Sequence, residues 1–230
     1  MRAIVMVPAY NEQDNIRHTL QDLQENGAET DILVMNDCST DGTEAILREL
    51  GVNYLSFPVN LGIGGGVQAG YQYARAHGYD IAIQFDGDGQ HEAKYLKELM
   101  APLLSGEADI TIGSRFMEHE GFQSSAARRV GIGILSGLIR FLCGVKVMDV
   151  TSGMRAVNRR FIEEYAEHYA QDYPEPEALL YAGLRKARIR EVPVQMRERA
   201  SGKSSISAMR SVYYMIKVSL ALIIGRFVKR

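Results

Sequence analysis

Four short apolar runs, each closing on a polar or glycine-rich cluster, constrain this chain more than any other feature. Residues 3–7, 31–35, 53–57 and 80–85 have the length and apolar character of buried strands, and Pro8 stops the first. Between them, residues 11–26 set Ile16, Leu20 and Leu23 at helical spacing, and residues 43–50 read as a second helix. The glycine-rich run 60–66 leads into a third helix through Ala76. Strands alternating with helices predict an α/β fold with a mostly parallel sheet covered on both faces. Such sheets bind ligands outside the carboxyl ends of their strands, where these polar clusters fall.

The second half is less regular. Residues 108–113 read as a strand, followed by Ser114-Arg115 and a polar loop to Arg129. Residues 130–143 are apolar and punctuated by glycine, 159–171 and 177–187 read as helices, and 189–194 as a strand. With no internal repeat or low-complexity tract, the expectation is one domain over residues 1–205 and a C-terminal helix over 206–230.

Composition narrows the function. Of 230 residues 46% are hydrophobic, enough for one packed core, and a net charge of -2 gives no electrostatic footing for nucleic acid. Cys38 and Cys143 form no CxxC pair, which fits a reducing compartment, and Cys38 reads as a small packed residue rather than a nucleophile. The N-terminus lacks the pattern of a signal peptide, and no apolar stretch reaches the roughly 20 residues that span a bilayer. A cytoplasmic location is therefore expected.

The sharpest chemical signal is Asp86-Gly87-Asp88 at the end of an apolar strand. Two carboxylates one residue apart can turn toward one hard cation, Mg²⁺ or Mn²⁺, which shares oxygen ligands with phosphate. Gln90 offers a further oxygen. Alone the tripeptide also fits an acidic turn, since Asp and Gly are ordinary turn residues. Its neighbours in sequence add weight. Pro8-Ala9-Tyr10-Asn11-Glu12 follows the first strand and Asn36-Asp37-Cys38-Ser39-Thr40-Asp41-Gly42-Thr43 the second. There Asp37 can accept hydrogen bonds from a nucleobase edge, whereas Asp41 can cap the next helix. Gly62, Gly64 and Gly66 would let backbone approach a ligand. With Asp86 about twenty residues on, they mimic a dinucleotide fingerprint, but that belongs to the first strand–helix turn. Gly202-Lys203-Ser204 imitates the end of a phosphate loop, yet Arg197 stands where its first glycine belongs.

Taken together, PAYNE, NDCSTDGT, NLGIGGG and FDGDGQH resemble, in order and spacing, the inverting family-two glycosyltransferases of the GT-A fold. The likeness runs over roughly residues 3–205. It is stronger toward the branch of dolichyl-phosphate mannose and undecaprenyl-phosphate sugar synthases, through Gly113-Ser114-Arg115, residues 149–155 and residues 199–204. The resemblance implies a Rossmann-like nucleotide-diphospho-sugar fold, with Asp86, Asp88 and Gln90 near the metal. It also implies Pro8, Tyr10, Glu12, Asp37, Gly64 and Asp86 around a UDP- or GDP-sugar. Two features depart from it: Ser204-Ser205 stands where many relatives have Ser-Lys, and one C-terminal segment replaces a multi-helix membrane region.

That branch resemblance implies a lipid-phosphate acceptor, and charge says what either acceptor would need. A lipid phosphate already carries a nucleophilic oxygen and needs cations to hold it, whereas a sugar hydroxyl needs a base. Arg115, Arg128, Arg129, Arg155, Arg199 and Lys203 all follow the metal motif. Arg115, Arg129, Ser152, Arg199 and Lys203 are taken as the phosphate site, with Asp88, Arg115 and Arg199 as the catalytic set. For a glycan hydroxyl, Glu175 or Asp149 would supply the base, although both fit structural roles. The C-terminal segment, apolar with basic flanks, suits a helix at a membrane interface or one packed on the domain or on a second copy. A polyprenyl phosphate acceptor is favoured, over a growing cell-surface polysaccharide or a catalytically silent nucleotide-sugar-binding subunit. A homo-oligomer and a separate membrane protein stay open as partners.

Overall fold

The computed structural model describes residues 1–117, 126–197 and 208–228. The first half alternates as its apolar pattern requires: β1 (Ala3–Ala9), α1 (Ile16–Asn26), β2 (Asp31–Asn36), α2 (Thr43–Leu50), β3 (Asn53–Ser56), α3 (Gly62–Ala76) and β4 (Ile81–Gln84). The second half adds α4 (Leu96–Leu104), β5 (Ile110–Ser114), α5 (Ala126–Cys143), β6 (Arg155–Asn158), α6 (Arg159–Glu167), α7 (Pro174–Leu184), β7 (Ile189–Pro193) and α8 (Ala208–Val228). The strands form one seven-stranded sheet in the order β3-β2-β1-β4-β6-β5-β7. β6 alone among them runs antiparallel to its neighbours, β4 and β5. This is the mostly parallel α/β sheet expected.

The period of two along β1 divides the core. Ile4 and Met6 face a layer made by α3, α5, α6, α7 and α8, whereas Val5 and Val7 face α1, α2 and α4. With both faces covered, the inner strands read as continuous apolar runs, which is why they were visible in the sequence.

Local details differ from the sequence pattern for identifiable reasons. α1 begins at Ile16 rather than at residue 11, because Asn11 adopts a left-handed φ of 55° and the Asn15 and Ile16 amides turn onto the Glu12 carbonyl. The glycine run is itself helical. A Cβ on Gly64 would lie 2.3 Å from the Ala170 carbonyl oxygen, so glycine there lets α3 pack against the backbone of residues 170–171. α4 and β6 do not stand out in the sequence pattern. α4 carries an internal proline, Pro102, and β6 has only four residues with polar ones at both ends.

α8 packs Val218 and Leu222, both fully buried, into the same core cluster as α5 and α7, worth about 1.5–3 kcal/mol each. Gly131 lies against Met215, Arg226 Nε donates to the Leu142 carbonyl, the Tyr173 ring meets Tyr214, and Gly225 meets Leu180. These pairings make α5, α7 and α8 run side by side in one direction. α8 also turns a second apolar stripe outward, including Ile216, Leu220, Ile224 and Phe227. Among the described residues no helix is long and apolar enough to cross a membrane.

Candidate active site

The carboxyl ends of β1, β2 and β4 and the first turns of α3 and α7 enclose a cleft of about 490 Å³. Pro8, Tyr10, Glu12, Asp37, Asp86, Asp88 and Glu175 line it, with Gly62, Ile63 and Gly66 of α3. Residues from four separate sequence motifs are thus brought onto one surface.

Side-chain to backbone hydrogen bonds join the loops after β1 and β2. Asn11 Oδ1 accepts from the Thr40 amide at 2.8 Å, Asp41 Oδ2 from the Gln13 amide at 3.2 Å, and Gln13 Oε1 from the Gly42 amide at 2.8 Å. Asn tolerates the left-handed backbone at residue 11 better than most residues. Asp41 stands one residue before the N-cap Gly42, and its Oδ1 accepts from the Thr43 amide at 2.9 Å and hydroxyl at 2.6 Å. Asp37 is buried, and its Oδ1 accepts from the Leu61 amide at 2.6 Å. One of its oxygens therefore fixes the entry to α3.

Asp86 is held between opposing electrostatic effects. Burial pushes its pKa up, but the hydrogen bond and charge of His91, the nearby Gln84 amide and the Arg115 charge outweigh this, and the net shift is downward. His91 Nε2 lies 3.3 Å from Asp86 Oδ2, and its ring tilts against Phe85. Behind the carboxylate stands Gly153, where a Cβ would fall 2.1 Å from Asp86 Oδ2. Asp88 Oδ1 accepts from the Gln90 amide at 3.1 Å, which curls the turn back on itself.

Glu175 lines the same cleft as Asp86, within its electrostatic reach. Burial raises its pKa and the Asp86 charge adds to the rise, while Arg155 opposes it. Gln84 Nε2 lies within electrostatic reach of both carboxyls but outside hydrogen-bond geometry, and Gln84 Oε1 accepts from the Tyr169 hydroxyl at 3.3 Å. Arg155 is buried and donates to three carbonyls, those of Val150, Ser152 and Glu175, at 2.9, 2.7 and 2.7 Å. It thereby ties the turn beneath Asp86 to the start of α7.

Several residues assigned from sequence are not among those lining the cleft. Arg115 forms a buried two-pronged pair with Asp149, Nε to Oδ2 and Nη2 to Oδ1 both at 2.6 Å, with Thr151 Oγ1 at 3.0 Å from Nη2. Asp149 is equally enclosed. The Ser152 hydroxyl accepts from the Met154 amide at 3.2 Å. Gln90 Nε2 donates to the Arg197 carbonyl at 3.4 Å, which turns it away from the cleft lining. Gly64 packs against residues 170–171. Arg129 is exposed in the first turn of α5. Arg199 and Lys203, and the side chain of Arg128, lie outside the described residues.

Sequence reasoning gave no role to His91, Gln84 or Gly153. His91 carried a signal, as the last residue of the FDGDGQH run. Gln84 looked like one more residue of an apolar strand.

Among the described residues no three His, Cys, Asp or Glu side chains are arranged to hold a metal ion alone. Asp86 and Asp88 nevertheless offer hard oxygen donors on one cleft wall, and Asp86 is held in its ionised form. That donor set fits a divalent cation completing its shell with substrate phosphate.

A mostly parallel sheet covered on both faces, with paired carboxylates at its strand ends beside this cleft, defines the GT-A class of glycosyltransferase architecture. A family model described as glycosyl transferase family 2 matches residues 4–166, and the chain belongs to that family. It is 29% identical over 235 residues to polyprenol monophosphomannose synthase of Mycolicibacterium smegmatis, covering 98% of this chain and 88% of that one. It is 30% identical over 217 residues to undecaprenyl-phosphate mannosyltransferase of Micrococcus luteus, covering 90% and 88%. Among solved structures, glucosyl-3-phosphoglycerate synthase of Mycobacterium tuberculosis, crystallised with Mn²⁺, UDP-glucose and phosphoglyceric acid, matches with a TM-score of 0.74. At 20% identity over 98% of this chain and 79% of that one, this is a likeness of fold.

Proposed function

We propose that the chain moves a sugar, with inversion, from a UDP- or GDP-sugar to a polyprenyl phosphate at a membrane surface. The observation that carries the reading is the meeting of Asp37, Asp86 and Asp88 with Pro8, Tyr10 and Glu12 on one cleft. The names of the mycobacterial and micrococcal relatives support the acceptor class.

In this reading Pro8, Tyr10, Glu12 and Asp37 flank the nucleoside. Asp86 and Asp88 would hold Mg²⁺ or Mn²⁺, and a cation bound there would supply charge neutralisation for the diphosphate. His91 and Gly153 keep the Asp86 carboxylate ionised and in place. The acceptor phosphate oxygen attacks without surrendering a proton, so this chain's part is to hold it in line. Arg129, Arg199 and Lys203 are the cations assigned to it. Arg115, paired with Asp149, acts on the site at one remove, by lowering the Asp86 pKa and ordering the 149–151 turn. The outward apolar stripe of α8 supports contact with the membrane that carries such a lipid.

Glu175 favours a second reading. A cleft-lining carboxyl with a raised pKa is suited to take a proton from a sugar hydroxyl. The test is release of nucleoside diphosphate from UDP- and GDP-sugars, each with and without a short-chain polyprenyl phosphate. Release that requires the lipid supports the proposal; release indifferent to it, but dependent on a glycan, transfers the assignment to hydroxyl chemistry.

A further inference from the structure

A second cavity, also about 490 Å³, lies at the end of the sheet away from the cleft. It is bounded by the last residue of α5, the residues after it, the end of α7 and the start of β7. Lys146, Lys186 and Arg190 line it, and no acidic residue does. All three are exposed, and no hydrogen bond or ion pair of their side chains occurs among the described residues. Many other described cations are paired, Arg2 with Asp31, Arg17 with Glu49, Arg159 with Asp80 and Arg188 with Asp109, although Lys97 and Arg140 stand alone on the surface among the described residues. What sets Lys146, Lys186 and Arg190 apart is that all three line one hollow with no acidic residue among its lining.

What adjoins the hollow is equally specific. Cys143 lines it and ends α5, and two residues earlier Phe141 is 87% exposed. Arg226 of α8 donates to the Leu142 carbonyl, so the last turns of both helices meet at its edge. The outward faces of these helices carry Ile134 on α5 and Ile216, Leu220, Ile224 and Phe227 on α8. An apolar strip thus runs from the Tyr214 end of α8, beside the cleft, to a basic hollow at the opposite end.

We propose that this composite surface docks on a bilayer bearing anionic phospholipid, with Lys146, Lys186 and Arg190 taking a lipid phosphate headgroup while α5 and α8 rest in the interface. Charge complementarity selects the occupant. An apolar strip by itself would suit any apolar partner, but unpaired cations at its end complement the negative surface of a membrane. With α8 lying flat, the hollow and the cleft reach the membrane at the two ends of one helix. The hollow thereby orients the cleft toward its substrate. This deepens the membrane contact of the proposed function and rests on it.

The test is co-sedimentation of the full chain with phosphatidylcholine vesicles and with vesicles containing phosphatidylglycerol. Because the chain carries a net charge of -2, preference for anionic vesicles reports a local cluster rather than overall charge. Wild type is expected to favour the anionic vesicles. Each cation lost from Lys146→Gln, Lys186→Gln and Arg190→Gln should weaken that binding about fivefold, and the triple variant by up to about a hundredfold. Phe141→Asp should weaken binding to both vesicle types. These side chains are exposed, so unchanged thermal unfolding is expected and is checked alongside. Equal anionic binding by wild type and the triple variant overturns the headgroup site. A stable dimer that buries this face and ignores vesicles overturns the membrane as its occupant. Sugar transfer to a soluble short-chain acceptor, measured on the same proteins, separates the claims: the triple variant should match wild type. Absence of transfer in both would count against the proposed function and leave the vesicle result standing.

Discussion

The carboxylate of Asp86 occupies the space that a side chain on residue 153 would need: a Cβ on Gly153 would stand 2.1 Å from Oδ2 and 2.6 Å from Cγ. The Asp-x-Asp turn after β4 and the Thr-Ser-Gly-Met turn before β6 are therefore one structural unit, joined where β6 pairs antiparallel with β4.

Gly153→Ala should displace Asp86 while leaving the sheet intact. Overpacking of this kind costs about 1–3 kcal/mol in stability. Activity should fall by about a hundredfold or more, since misplacement of about 1 Å at a reacting site has that effect. Steady-state kinetics beside thermal unfolding separate the two, and a variant with wild-type kcat/KM would refute the coupling.

Arg115 is predicted to act through stability. Arg115→Met leaves Asp149 charged in a closed environment, a loss of about 3–5 kcal/mol, whereas Arg115→Met with Asp149→Leu should recover most of it. Denaturant unfolding of the two variants reads this directly. Were Arg115 instead the principal phosphate ligand, the single variant would lose turnover at near wild-type stability.

Glu175 gives stability a pH dependence of known sign. Its folded pKa is raised, so the folded state holds the proton more tightly than the unfolded chain. The contribution to stability is complete below the ordinary value of 4.5 and is lost as pH rises through the folded pKa. Glu175→Gln removes that loss, so the variant should gain on wild type with rising pH. Urea unfolding in EDTA across this range checks it. A variant that loses stability relative to wild type as pH rises contradicts the assignment.

Asp37 is predicted to affect both binding and order. Asp37→Ala leaves the Leu61 amide without its partner, a loss of about 1–3 kcal/mol, and frees the entry to α3. Donor affinity should fall together with stability, as calorimetric titration with a UDP- or GDP-sugar can show.

Much of this was legible in the residues, for physical reasons. Strands buried on both faces must be apolar throughout, so β1, β2 and β4 announced themselves, and turns at their carboxyl ends placed the cleft. β6 was hidden because it opens with Arg155, a charge tolerated inside only because three backbone carbonyls receive it. The same limit applies to Arg115 and Ser152. Sequence identifies a cation or hydroxyl near a site, but not that Asp149 or the Met154 amide claims it first. Gly64 illustrates the converse: a glycine read as room for a ligand is room for residues 170–171.

The central claim is sugar transfer to a lipid phosphate at the Asp86–Asp88 turn. Its most direct test incubates labelled UDP- and GDP-sugars with polyprenyl phosphate and Mn²⁺, for wild type and Asp88→Ala, and follows the label into an organic extract. The account predicts an extractable, acid-labile glycolipid from wild type that requires the divalent cation and falls by several orders of magnitude in Asp88→Ala. Equal product from both proteins, or label confined to a water-soluble glycan, would contradict it.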